Sequence, residues 1–73
     1  MDKIAQDFGN FIKEHRKAKG FTQAEVAKKL GISQVSYGRY ELGLREPSLQ
    51  MIIDISSLLG FEPGDFFNPY LGR

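Results

Sequence analysis

Two helix start signals separated by one glycine constrain this chain more than any other feature. The first is Thr22-Gln23-Ala24-Glu25, a capping box. In such a box the Thr22 hydroxyl accepts from the Glu25 N–H while the Glu25 carboxylate reaches back. Phe21 before the cap and Val26 after it have the spacing of a hydrophobic staple. The second signal is Ser33, flanked at the same staple spacing by Ile32 and Tyr37. Between them stands Gly31, the residue type best suited to a left-handed turn just past a helix end. Two short helices must therefore follow each other across a tight turn. Ala27 is small where they cross, and Val26, Leu30, Ile32, Tyr37 and Tyr40 supply a shared core. This is the physical outline of a helix-turn-helix.

The rest of the chain is punctuated in the same way. Gly20, Gly43 and Gly60 each follow a helical pattern, and Pro47 and Pro63 stand near the starts of the next ones. The first segment, from about Lys3 to Lys19, puts Ile4, Phe8, Phe11, Ile12 and His15 on one side. The segment opening at Ser48 gathers Leu49, Ile52, Ile55, Ser56 and Leu59 on one face, with Met51 and Leu58 on a neighbouring stripe. Gly60 to Phe67 suggests a further helical turn or short helix. Asn68 to Arg73 reads as a loose tail with Tyr70 and Leu71 as anchors. Strand-type alternation is absent, and no linker or repeat divides the sequence. The expected architecture is all-α: a compact bundle of about five short helices in one domain spanning residues 1–73.

Composition narrows the chemistry. A chain of 73 residues buries only about 60–65% of its unfolded surface, so it must pack efficiently or borrow a partner's surface. With no cysteine and a single histidine, His15, it has no disulfide, no thiol nucleophile and no His pair for a metal. A nucleophile, base and orienting group cannot be assembled, so neither catalysis, a metal nor a cofactor is expected. A lone histidine on an apolar face reads as a packing residue. The Met1 end carries no long apolar run, which argues against a signal peptide or membrane span, and a cytoplasmic location is expected.

The net charge of +1 hides a polarised molecule. Residues 11–45 hold Lys13, Arg16, Lys17, Lys19, Lys28, Lys29, Arg39 and Arg45 against Glu14, Glu25 and Glu41, whereas both flanks are net acidic. The basic half coincides with the helix-turn-helix, where phosphates would lie. The outward face of the second helix of that motif is also unusual. Gln34, Val35, Gly38 and Arg39 point away from the inward Tyr37 and Tyr40. Gly38 costs about 1 kcal/mol relative to alanine in a helix, so something other than helix stability must favour it. Close backbone approach to DNA and close internal packing are both open explanations.

At this point the run Phe21-Thr22-Gln23-Ala24-Glu25-Val26-Ala27-Lys28-Lys29-Leu30-Gly31-Ile32-Ser33-Gln34 resembles the lambda-repressor/Cro-like helix-turn-helix family. Arg39-Tyr40-Glu41-Leu42-Gly43 and Pro47-Ser48-Leu49 carry the resemblance further, and it covers roughly residues 8–67. The resemblance implies a small bundle that binds double-stranded operator DNA, usually as a dimer. Reach then assigns Gln34, Val35 and Arg39 to base edges: an amide for adenine, an apolar contact for a thymine methyl, a guanidinium for guanine. Thr22, Gln23, Ser33, Ser36, Gly43 and Arg45 are assigned to the DNA backbone, with Gln23 supported by its matching family position and by the amide-rich helix start it occupies. Glu41 sits near a helix C-terminus, where a carboxylate opposes the dipole. The family pairs its position with that of Arg16, which implies a partly buried bridge that orients the reading helix. Tyr37, Gly38 and His15 depart from the family's usual residues.

The expected function is therefore a sequence-specific transcriptional regulator, a phage-type repressor or the controller of a restriction–modification or mobile-element operon. The alternative is an antitoxin-type adaptor that keeps the fold without reading DNA. A homodimer through Met51, Leu58, Phe67, Tyr70 and Leu71 is expected from their surplus apolar surface, and no small-molecule ligand is expected.

Overall fold

The computed structural model describes residues 3–71. Five helices follow in order: α1 (Lys3–Lys19), α2 (Gln23–Leu30), α3 (Gln34–Glu41), α4 (Leu49–Leu59) and α5 (Pro63–Leu71). Among the described residues there is no strand.

The start signals act as read. Thr22 Oγ1 accepts from the Glu25 amide at 3.1 Å and the Thr22 amide donates to Glu25 Oε1 at 2.8 Å, completing the box. Ser33 Oγ accepts from the Ser36 amide at 3.1 Å, and Ser48 Oγ from that of Met51 at 3.1 Å. Each cap satisfies one amide that the helix itself leaves without a partner. The stop signals also hold. After α2, the Gly31 amide donates to Lys28 and that of Ile32 to Ala27, a turn that needs the left-handed φ of +74° at Gly31. Gly20, Gly43 and Gly60 close their helices with φ between 72° and 79°.

The core is built where these helices cross. Ile12 from α1, Val26 and Ala27 from α2, Tyr37 and Tyr40 from α3, and Ile55 and Leu59 from α4 are buried together. α5 and the turn before it dock through aromatic rings. Phe66 meets Phe8 edge-on at 5.1 Å, and Phe11 meets Phe61 edge-on at 4.9 Å. Such pairs contribute about 0.5–1.5 kcal/mol each beyond burial. His15 belongs to this cluster. Its ring lies 4.3 Å from Phe11 and 5.0 Å from Phe61, and its Nδ1 donates to the Phe11 carbonyl at 2.9 Å.

Two sequence expectations need correction. The supposed loose tail is helical as far as Leu71, and its last two residues, Gly72 and Arg73, lie outside the described residues. Pro69 sits inside α5 and removes one donor there. The helix continues past it because Tyr70 packs on Phe66 at 5.3 Å and its hydroxyl donates to Asp7 Oδ2 at 2.6 Å. The second correction concerns the surplus apolar stripe. Met51, Leu58 and Phe67 are half-buried against the core, while Leu49, placed by pattern on the buried face of α4, is 83% exposed. The buried arc of α4 centres on Ile55 and Leu59. Leu49 and Ile53, one turn apart, fall outside it and form the exposed apolar pair of that helix.

Candidate nucleic-acid interface

α3 has two faces with opposite jobs, and the inward one fixes the outward one. On the inward side, Tyr37, Tyr40 and Glu41 are buried. Arg16 Nε donates to Glu41 Oε2 at 2.6 Å and Arg16 Nη2 to Glu41 Oε1 at 3.2 Å, a two-pronged pair buried on both sides. A third guanidinium nitrogen, Nη1, donates to the Phe21 carbonyl at 2.9 Å, which ties the pair to the turn before α2. Burial alone would raise the Glu41 carboxyl. The bonds from Arg16, with that from the Gln23 amide, outweigh it and hold Glu41 below its ordinary 4.5. The bridge expected between these two residues is therefore present, and it joins α1, α3 and the turn before α2 at one point.

Gln23 is the member of this network that sequence alone does not place. Its Nε2 donates to Glu41 Oε1 at 2.9 Å. A carboxylate only accepts, so the amide nitrogen must face inward and Oε1 outward. Tyr37 Oη lies among the same groups, yet it has no partner in hydrogen-bonding geometry. Burial, then the neighbouring carboxylate, raises its pKa, so the hydroxyl stays protonated.

The outward face carries Gln34, Val35, Gly38, Arg39 and Leu42. With Gln23 and Leu44 they line one open groove. The residues assigned to base edges, Gln34, Val35 and Arg39, are all exposed and all border that groove. Of the residues assigned to the DNA backbone, Thr22, Ser33 and Arg45 are exposed and Ser36 is half-buried. Ser33 spends its own proton on Ser36 Oγ at 3.0 Å, which leaves the Ser36 proton for an outside acceptor. Gly43 does not fit its assignment. It is buried, its amide donates to Tyr40 at 3.1 Å, and a Cβ there would meet the Gln6 Cα at 2.8 Å. The next amide, that of Leu44, donates to Arg39. Gly43 thus closes α3 and seats it on α1, and Arg45 is the loop's free group toward solvent.

Gly9 is a residue that the sequence reading passed over. A Cβ there would stand 2.3 Å from the Glu41 carbonyl oxygen and 2.6 Å from that of Tyr40. The backbones of α1 and α3 can touch only because position 9 has no side chain. The readable signal is the run Ala5, Gly9, Ile12 and Arg16 at helical spacing, all buried on one side of α1.

A helix-turn-helix family profile matches residues 12–66, most of the chain, including all of α2 and α3 and the Arg16–Glu41 pair. The chain belongs to the lambda-repressor/Cro-like helix-turn-helix family. Among members of this family, it is 42% identical over 53 residues to YonR, an HTH-type transcriptional regulator derived from the SPbeta prophage of Bacillus subtilis. That match covers 73% of this chain and 49% of YonR, so the chain spans about half the length of that relative. It is also 38% identical over 65 residues to YazB, an HTH-type transcriptional regulator of the same organism, covering 89% of this chain and 94% of YazB. Among solved helix-turn-helix structures, the restriction-modification controller protein C.AhdI from Aeromonas hydrophila superposes with a TM-score of 0.79 at 33% identity, covering 86% of this chain and 96% of that one. The DNA-binding domain of BldD from S. venezulae shares the fold, with a TM-score of 0.77 at 21% identity over 89% of this chain and 97% of that one.

Among the described residues no group of three His, Asp or Glu residues is placed to hold a metal ion, and no helix is long and apolar enough to cross a membrane.

Proposed function

We propose that this family member is a sequence-specific transcriptional regulator that lays α3 in the major groove of double-stranded DNA. The single observation that carries the reading is the division of labour on α3. Its inward face is locked by the buried Arg16–Glu41 pair, so the exposed Gln34, Val35 and Arg39 are held in a fixed array. Fixed amide and guanidinium tips are what base edges require, since each bidentate contact needs both partners in register. Around that array, the first backbone amides of α2, that of Gln23 among them, with the side chains of Thr22, Ser33, Ser36 and Arg45, face the flanking phosphates.

The regulator works as a homodimer on a two-fold operator, its two α3 helices one DNA turn apart, about 34 Å. Tyr70 and Leu71 on α5, exposed as a dimer contact requires, support this. Leu49 and Ile53 join them as the apolar surface of α4 left over after the core is filled. Sedimentation showing only monomer, both free and on operator DNA, would remove the dimer.

The test of the reading is selection of bound fragments from random duplexes, followed by a salt titration. A regulator selects one motif, and its affinity falls steeply with salt. A protein-binding adaptor selects nothing and shows little duplex affinity. Replacing Arg39 by Ala should then relax preference at one base position, at a cost of about 1–3 kcal/mol. A uniform loss over all sequences would reassign Arg39 to phosphate.

A further inference from the structure

The centre of the outward face of α3 is a hole. Gln34, Gly38 and Leu42 follow one another four residues apart down that face, with Val35 and Arg39 in the adjoining row. Gly38 is therefore ringed by the residues that would meet DNA. Its φ is not positive, so the backbone does not require glycine there. Packing does not require it either. The nearest atom to a Cβ built on Gly38 is Gln23 Oε1, at 3.7 Å, an ordinary contact with the end of a flexible side chain. The walls of the hollow are apolar and turned to solvent: Val35 is 64% exposed, Leu42 66% and Leu44 56%. Its rim is polar, made by Gln23, Gln34 and Arg39.

A major groove presents donors, acceptors and one kind of apolar projection, the C5-methyl of thymine. We infer that the hollow over Gly38 takes a pyrimidine C5-methyl, and that Gly38, Val35 and Leu42 make the regulator require thymine at one position of each half-site. The inference rests on the DNA-reading function proposed above and deepens it. The Gln34 amide one turn away is placed for an adenine edge, so an A·T pair satisfies rim and hollow together. A side chain at position 38 would fill the space and keep the methyl out. Arginine at the rim also suits this occupant, because its charge complements the negative potential of a DNA groove.

The test uses the whole chain and the operator obtained by selection. Each thymine is replaced in turn by deoxyuridine, which removes the methyl and keeps the O4 acceptor. Fluorescence anisotropy then gives Kd for the wild type and for Gly38→Leu, with Gly38→Ala as a smaller step in the same direction. The wild type should lose about three- to fivefold at one thymine of each half-site, the factor expected from exposing one buried methyl. Gly38→Leu should bind the thymine and uracil forms of that position equally. Changing that pair from C·G to 5-methylcytosine·G should tighten wild-type binding by the same factor, which separates the methyl from the rest of the thymine edge. Equal binding of thymine and uracil at every position overturns the inference, as does an unchanged ratio in Gly38→Leu or no gain from 5-methylcytosine. Failure of the underlying function looks different: no motif is selected and duplex affinity is weak, and the hollow then falls with it. Circular dichroism checks that both variants fold.

Discussion

Gly9 and Gly38 stand in the interiors of two touching helices, and they have opposite reasons to be glycine. A Cβ on Gly9 would drive into the carbonyl oxygens of Glu41 and Tyr40, whereas one on Gly38 would meet only Gln23 Oε1 at 3.7 Å. Each gives up about 1 kcal/mol of helix stability relative to alanine. For Gly9 the return is internal: α1 and α3 come close enough for Arg16 to reach Glu41. For Gly38 nothing inside the molecule gains. The difference teaches where to look for function in a fold this small. A residue that is unfavourable locally and unexplained by packing points outward, while one that is unfavourable locally and sterically required points inward.

The largest effect should come from breaking the inward side. Glu41→Ala leaves the Arg16 guanidinium buried without its carboxylate and removes the partner of the Gln23 amide, so about 3–5 kcal/mol should be lost in urea unfolding. A loss under about 1 kcal/mol would show that water replaces the carboxylate and that the pair does not lock α3. Acid makes the same test without mutation. The Glu41 carboxyl is held below its ordinary 4.5, so its contribution is complete above that pH and disappears as pH falls through the lowered value. Wild type should therefore lose stability more steeply than Glu41→Gln as pH falls below the ordinary carboxyl value and through the lowered one, because Glu41→Gln has no carboxyl to protonate at this position.

Gly9→Ala should come next. The added methyl meets backbone rather than a side chain tip, so relief requires α1 and α3 to move apart. Overpacking of this kind costs about 1–3 kcal/mol, and a contact to backbone carbonyls belongs at the upper end. Gly38→Ala should have the opposite sign, raising stability by about 1 kcal/mol and the melting temperature by about 4–8 °C. Thermal unfolding of the two variants side by side is the direct check. If both destabilise, Gly38 has a packing role and the contrast fails. If Gly38→Ala is the more stable protein and the weaker DNA binder, the contrast is at its sharpest.

The sequence made these positions legible to different degrees. Caps and stops were readable because each is settled within five or six residues: Thr22 with Glu25, Ser33 with Ser36, Gly31 with the carbonyls of α2. The motif, the exposed array and the Arg16–Glu41 pair were readable because the family resemblance carries contacts between distant parts of the chain. What stayed hidden depends on distant contacts the resemblance does not mark. Gln23 turning its amide toward Glu41, Gly43 seated on Gln6, and the backbones meeting at Gly9 all join residues far apart in sequence. Leu49 shows the limit of periodicity. Its pattern places it on the apolar face of α4, but a pattern cannot say where the neighbouring helices stop. Pro69 shows the limit of propensity, since contacts from Tyr70 to Phe66 and Asp7 carry α5 past a residue that would otherwise end it.

The smallest effect tests the inward side from within. Tyr37 is fully buried, fills the centre of the core, and keeps its hydroxyl beside the Arg16–Glu41 pair without a hydrogen-bond partner. A buried donor left unmade is unfavourable, so removing the oxygen while keeping the ring should not destabilise the fold. Tyr37→Phe should change stability by less than about 1 kcal/mol, with the gain on the side of phenylalanine. The same variant should leave the acid transition in place, because Arg16 and Gln23 still hold the carboxylate. A loss of about 1 kcal/mol or more would mean that the hydroxyl bonds to Glu41 in solution. The inward lock would then have four members rather than three, and tyrosine at this position would be part of what aims α3 rather than a filler of space.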